Sequence, residues 1–228
     1  MNKNQNTIIL EKDIIALIKK KNTEISDIAL KWELFNYINR KSLIKVGTKK
    51  YQAYGNVYSY DYKSDITKDI DSFLSKKYPD IKMVIWETRQ LNEWLNLLLA
   101  VNVIYIEVEK DFIDYVFSTV NDIYGKSQIV LLNPDESTLS KYLREDLIVI
   151  KTLYSKSPLS KKDRKIKLEK LAVDTFCDAH SLGSSGITDV LHGIRDNYAI
   201  NVDKMLSYAA RRRVKKEILE IWEDHNDW

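Results

Sequence analysis

Arg211, Arg212 and Arg213 stand together near the end of a helical pattern, with Lys215 just beyond them. Consecutive guanidinium groups can fork-bind carboxylates or phosphates, from a protein partner or from a nucleic acid. The same cations also suit the negative C-terminal end of a helix dipole, which requires no partner. Successive helical residues point about 100° apart, so the three arginines cannot face one partner together. At least one is expected to be structural and to pair with Glu169 or Asp174.

A second candidate set is acidic. Pro79-Asp80 precedes a strand pattern, and Glu107-Val108-Glu109-Lys110 ends another. Metal-dependent nucleases of the restriction type surround Mg²⁺ with one acid, then an acid and a lysine one residue apart at a strand end. That spacing would put lysine at position 109, where the chain has Glu109. Without it, water activation and stabilisation of the cleaved phosphate lose a main element. These acids therefore read as residues flanking strand ends at the surface, and a degenerate nuclease-like enzyme is the alternative. Gly183-Ser184-Ser185-Gly186 lacks the lysine of a phosphate-binding loop and does not match a hydrolase nucleophile elbow, so it reads as a helix connection. His180, His192 and His225 have neither i, i+4 spacing nor paired cysteines, so no zinc site is expected. Cys177 has no activating neighbour and reads as a small core residue. No catalytic set, metal or cofactor is expected.

The 228 residues suffice for one large domain or two small ones, and 44% hydrophobic with 30% charged residues is a globular composition. The longest apolar runs, such as Leu97–Val101, fall short of a membrane span, and no apolar leader precedes the first amphipathic segment. One cysteine fits a reducing, cytoplasmic setting. The net charge of +3 conceals an asymmetry. Residues 1–55 carry eleven Lys/Arg against five Asp/Glu, and the remainder carries 25 against 28. A basic N-terminal module on a mildly acidic body points to a polyanion as its partner.

The elements that must position these residues follow from hydrophobic spacing. Leu10, Ile14, Leu17 and Ile18 predict a helix ending at Lys19-Lys20-Lys21-Asn22. A second helix starts at Ser26 or Asp27 and carries Ile28, Trp32, Phe35 and Ile38 on one side, with Leu34 beside them. Ala29, Glu33, Asn36, Tyr37 and Arg40 fall on the opposite side. Leu43–Val46 and Tyr51–Tyr54 predict strands joined by the basic turn Gly47-Thr48-Lys49-Lys50. Helices followed by a small basic hairpin are the order of a winged helix, although only two helices can be placed. A helical hairpin with a ribbon that serves packing or dimerisation is the competing reading. Gly55 marks the boundary, giving a winged-helix-like module at 1–55 and a second unit at 56–228. In that unit Val57–Tyr60 is a short β segment, followed by a helix capped by Ser64. Strands at Met83–Trp86, Val103–Val108, Ile129–Leu132 and Leu147–Ile150 alternate with helices at Leu91–Leu99 and Phe112–Val120. That alternation predicts a mixed α/β domain, and from about residue 160 a helical C-terminal part with segments Ile166–Phe176, Ile187–Asn197 and Val202–Trp222.

Several stretches then fall in a familiar order: Trp86-Glu87-Thr88, Ile104–Glu109, Ser157-Pro158-Leu159, Leu168–Asp174, Tyr198–Asn201 and Met205–Arg212. This series resembles the AbiEi-type antitoxins of bacterial type IV toxin–antitoxin systems, over residues from about 84 to 216. The resemblance implies an N-terminal winged helix that binds inverted repeats in its own promoter, as a repressor. It also implies a C-terminal domain that counters a nucleotidyltransferase-like toxin without necessarily binding it stably. The DNA contacts would then come from Asn36, Tyr37, Arg40 and Lys41 on the second helix and from Lys45, Lys49 and Lys50 on the wing. Arg211, Arg212, Arg213 and Lys215 would form the antitoxin surface, with Glu169, Lys170, Asp174, Asn201 and Tyr208 as structural members of the motif. The wing departs from its relatives, which often carry arginine with a Gly-x-Tyr turn; lysines preserve phosphate contact but not arginine reading of the minor groove. A module that docks a partner without binding DNA is a further alternative.

Overall fold

The computed structural model of the chain describes residues 8–40, 42–53, 56–142, 146–179 and 182–224. The N-terminal lobe runs β1 (Ile8–Leu10), α1 (Glu11–Lys21), α2 (Asp27–Asn39), β2 (Leu43–Gly47) and β3 (Lys50–Ala53). The three strands form an antiparallel sheet in the order β1-β3-β2. Ser26 caps α2 by accepting from the Ala29 N–H at 3.3 Å, which satisfies one of the donors left open at a helix start. Between the helices lies only a turn. The small core of Ile14, Ile18, Leu43 and Tyr51 is closed by Ile9, Ile25, Leu34, Tyr37 and Ile38.

The orientation of α2 corrects the sequence reading. This helix carries two apolar stripes, and the inner one is Leu30, Leu34, Tyr37 and Ile38. Ile28, Trp32 and Phe35 face solvent at 83%, 62% and 48% exposure, with the Trp32 and Phe35 rings stacked at 5.5 Å. Periodicity alone cannot rank two stripes of similar hydrophobicity. Leu30 decides, because burying its stripe brings Tyr37 and Ile38 onto β2 and α1 as well.

The second lobe contains α3 (Asp65–Lys77), β4 (Met83–Glu87), β5 (Val103–Val108), α4 (Ile113–Tyr124), β6 (Ile129–Leu132), α5 (Glu136–Tyr142) and β7 (Leu147–Thr152). Then come α6 (Leu168–Asp178), α7 (Ser184–Asn197), α8 (Val202–Arg212) and α9 (Lys215–Glu223). The sheet order is β4-β5-β7-β6, antiparallel between β4 and β5 and parallel elsewhere. The fold is thus mixed α/β with a helical C-terminal part, as the alternation of patterns requires. Alternation along the strands separates two faces. One face carries Glu87, whose carboxylate accepts from the Lys63 and Ser64 N–H groups before α3, from the Thr67 hydroxyl and from Asn102. On that side α3 and α4 are joined by a hydrogen bond between Tyr78 and Thr119 and another from Tyr124 to Asp69. The other face presents Trp86, Tyr105, Glu107, Val149 and Lys151 to α6 and α8.

Three predicted segments differ. Val57–Tyr60 pairs with no strand; Tyr60 instead accepts the Glu87 N–H through its hydroxyl at 2.8 Å. Leu91–Leu99 is a short 3₁₀ turn over Thr88–Glu93 followed by irregular chain, because the Asn92 side chain takes the Leu99 N–H at 2.8 Å. Leu97 and Leu98 are left exposed there. The predicted Val202–Trp222 helix breaks at Arg213, which is left-handed at φ 63°. The Val214 N–H bonds Ala209 O at 3.0 Å and the Arg213 N–H bonds Ala210 O at 3.2 Å, the pattern of a Schellman terminus.

The lobes touch. The Thr48 N–H at the tip of the β2–β3 ribbon donates to Asp203 on α8 at 2.6 Å. A Cβ at Gly47 would lie 3.0 Å from the same carboxylate, so the close approach favours glycine.

Candidate functional site

The sheet face beneath α6 and α8 holds a chain of buried charges. Lys170, Asp174 and Asp178 are spaced i, i+4, i+8 on α6, so they share one stripe of the helix. Tyr208 and Arg212 are likewise i, i+4 on α8. Packing these stripes together brings them onto Glu107 of β5 and Lys151 of β7, which are neighbours in the parallel register. Lys170, with no exposed side-chain surface, donates to Glu107 Oε2 at 2.7 Å, to Tyr208 Oη at 3.0 Å and to Asp174. Glu107 takes a further bond from Trp86 Nε1 at 3.1 Å, and the Trp86 ring stacks on Tyr105. Asp174 Oδ1 accepts from the Tyr208 hydroxyl at 2.8 Å and from Arg212 at 2.6 Å. Arg212 also bonds both oxygens of Asp178 at 3.1 Å and lies 4.2 Å from the Tyr154 ring centroid. Asp178 contacts Lys151, whose ammonium sits 4.9 Å from the Tyr105 ring centroid.

Lys151, Lys170 and Arg212 balance Glu107, Asp174 and Asp178, so the cluster is neutral when all are ionised. Burial would push the Lys170 ammonium down in pKa, but the Asp174 and Glu107 charges outweigh it and hold the group well above its ordinary value. Burial likewise pushes the Glu107 carboxyl up, and Lys170 and Lys151 reverse that, leaving it below the usual range. For Asp178 burial is again overcome, by Lys151 and Arg212, and its pKa is held at about 2. Burial prevails at Asp174, which is pushed up to about 6, with Lys170 offsetting part of the effect. Within the lobe, the cluster ties two strands to two helices. Such a network specifies one packing of α6 and α8, because any slip strands a charge away from water.

The expected site residues divide accordingly. Among the three arginines Arg212 is interior, its side chain 6% exposed, so the partner-surface assignment is corrected at this residue. It pairs with Asp174, while Glu169 lies 3.4 Å from the Asn201 N–H. Asn201 caps α8 by accepting from Lys204 N–H at 3.1 Å. Arg211, Arg213 and Lys215 are exposed. Glu107 is also corrected, from the surface to the interior. Asp80 is exposed, and Glu109 pairs with Lys82 at 3.0 Å. The nuclease-like triplet is therefore not assembled, because Glu107 is engaged by Trp86 and Lys170. Among the described residues no group of three or more metal-ligating side chains converges.

In the N-terminal lobe Arg40, Lys45, Lys49 and Lys50 are exposed and Asn36 is half-buried. Tyr37 packs into the lobe's core, which corrects its placement on an outer polar face. Lys41 lies outside the described residues, as do His180, His225 and Gly55. Lys151 and Asp178 escaped sequence reasoning. The available signal was the i, i+4, i+8 charge stripe on a helix whose other residues are apolar, together with one glutamate inside an apolar strand.

No helix among the described residues is long and apolar enough to cross a membrane. Comparison with curated proteins gives no significant match. The sequence profile of a family of unknown function, DUF6577, matches residues 29–227, from α2 through the charge cluster and beyond α9, and the chain belongs to that family.

Proposed function

We propose that this protein is a cytoplasmic, non-enzymatic DNA-binding repressor, and the antitoxin of a type IV pair that counters a nucleotidyltransferase-like toxin. The observation that carries the DNA half is the β2–β3 ribbon: Lys45, Lys49 and Lys50 are exposed, and none has an acidic partner within ion-pair distance among the described residues. Exposed Lys19, Lys20 and Lys21 end α1, and Arg40 ends α2. Exposed cations on this ribbon, whose tip rests against Asp203 of α8, suit phosphate contact and the release of condensed counterions. The outer face of α2 is apolar at Ile28, Trp32 and Phe35, so the ribbon rather than that helix is the principal contact. The antitoxin half rests on the ordered sequence series from Trp86 to Arg212, which resembles AbiEi-type proteins. Within it, Arg211, Arg213 and Lys215 supply the exposed charge.

A mobility-shift titration on the protein's own promoter tests the first half. Lys49→Ala and Lys50→Ala should each lower the slope of log K against log salt by about 0.9. No complex at low salt would refute DNA binding. Growth of cells expressing the neighbouring toxin tests the second half with the Arg213→Glu/Lys215→Glu protein. That variant should lose rescue and keep promoter repression; unimpaired rescue would refute the assignment of this surface.

A further inference from the structure

A cavity of about 600 Å³ opens beside the charge cluster, lined by Tyr105, Leu139, Val149, Lys151, Tyr154 and Arg211 among others. Its place follows from the topology. The chain passes from β5 across β7's position to the edge strand β6, then returns to β7, so the two crossovers run in opposite directions. Right-handed crossovers then send α4 and α5 to opposite faces. Leu139 of α5 accordingly meets Tyr105 and Val149 in the cavity, while α4 packs with α3 behind the sheet. A crevice remains between α5 and the α6–α8 layer, just beyond the carboxyl ends of the parallel strands. Lys110 follows β5, Asn133 and Pro134 follow β6, and Leu153, Tyr154 and Ser155 follow β7. Open parallel sheets bind ligands in this place, and the volume suits a small molecule.

The lining is chemically divided. Tyr105, Leu139, Val149, Leu153 and Pro134 give an apolar floor. Lys151, its side chain 12% exposed, is spent on Asp178 and its ammonium is buried, so it lines the cavity without adding free charge. Arg211 donates Nε to Ser155 Oγ at 2.5 Å and has no carboxylate partner among the described residues; nor has Lys110. The one carboxylate in the lining, Asp178, is already neutralised by Arg212 and Lys151. The wall therefore carries uncompensated positive charge above an apolar floor.

We infer that this crevice binds a phosphate monoester with a flat apolar body, of mononucleotide size. The phosphate is held by Arg211 and Lys110, and the body lies on Tyr105, Val149 and Leu139. Arginine and lysine supply charge-assisted hydrogen bonds to the dianion, and the apolar floor separates such a ligand from inorganic phosphate. This assignment does not depend on DNA binding.

Isothermal titration of the full-length protein with AMP, GMP, CMP and UMP tests it, with adenosine and inorganic phosphate as controls. At least one mononucleotide should bind saturably at one site, with both controls about tenfold weaker or more. Arg211→Gln and Lys110→Gln should each weaken that binding by about tenfold, with unchanged melting temperatures showing that the fold persists. No saturable mononucleotide binding, inorganic phosphate bound equally well, or binding unaltered in the Lys110→Gln/Arg211→Gln protein would overturn the assignment. A 5′-phosphorylated trinucleotide distinguishes the end of a strand from a free nucleotide. Tighter binding of the trinucleotide would also overturn it.

Discussion

Replacing Lys170 with methionine keeps the length and apolar stem of the side chain and removes only its charge. The loss falls on two carboxylates without solvent access: Glu107 would retain Trp86 Nε1, and Asp174 would retain Arg212 and Tyr208. Breaking a buried ion pair by removing one partner typically costs about 3–5 kcal/mol, because the other charge remains unpaired. In a domain of this size 1 kcal/mol moves the midpoint by roughly 2–4 °C, so the variant should melt roughly 10 °C below the wild type. Urea unfolding followed by fluorescence supplies the free energy directly. The pH dependence carries a sign. Without Lys170, the buried Glu107 and Asp174 carboxyls should have folded pKa values above their unfolded ones, so folding takes up protons. The stability they allow is present at low pH and lost as pH rises through the folded values, and the deficit against wild type should shrink from pH 8 to pH 5. Adding Glu107→Gln should recover part of the loss, since the stranded charge disappears. A single-variant cost below about 1 kcal/mol, or a deficit that grows as pH falls, would refute the reasoning.

The other expectations use the same structure at different points. Arg213→Gly should raise stability by about 0.5–1 kcal/mol in thermal melts, because a left-handed residue at φ 63° loses its Cβ strain, less the added chain entropy of glycine; a lower melting temperature would mean that the side chain matters more than the backbone. Gly193→Ala should destabilise by about 1–3 kcal/mol despite alanine's helix propensity, since the new Cβ would stand 2.4 Å from the Trp94 ring; a stabilised variant would show that the ring moves freely. Asp178, held at about 2 by Lys151 and Arg212 against its burial, contributes stability that is present above its unfolded pKa and lost as pH falls from about 4 to about 2. An Asp178→Asn protein should therefore be less stable at pH 7 and show a flatter acid limb in the same titration; an unchanged limb would remove Asp178 from that role.

The sequence by itself determined the class of fold and much of the order of elements. Strands at Met83, Val103, Ile129 and Leu147 and the Ser26 and Ser64 caps are local features, written in apolar runs and in side chains that bond three residues away. The asymmetry of charge, with its basic N-terminal end, is also a property of the chain alone. Tertiary structure decided which of two apolar stripes on α2 turns inward, since both satisfy helical spacing and only contact with α1 and β2 separates them. It ended α8 at Arg213, where no glycine or proline marks a stop, and redirected the chain so that Ile218 and Trp222 of α9 enter the core. It also buried Glu107. A glutamate in an apolar strand reads as a strand-end acid until α6 brings Lys170 to within 2.7 Å of it. Pairing across 63 residues leaves no local trace beyond the helical spacing of each partner's own charges. The positive wall of the crevice follows from the same cause, since it depends on which cations the core has neutralised and which it leaves free.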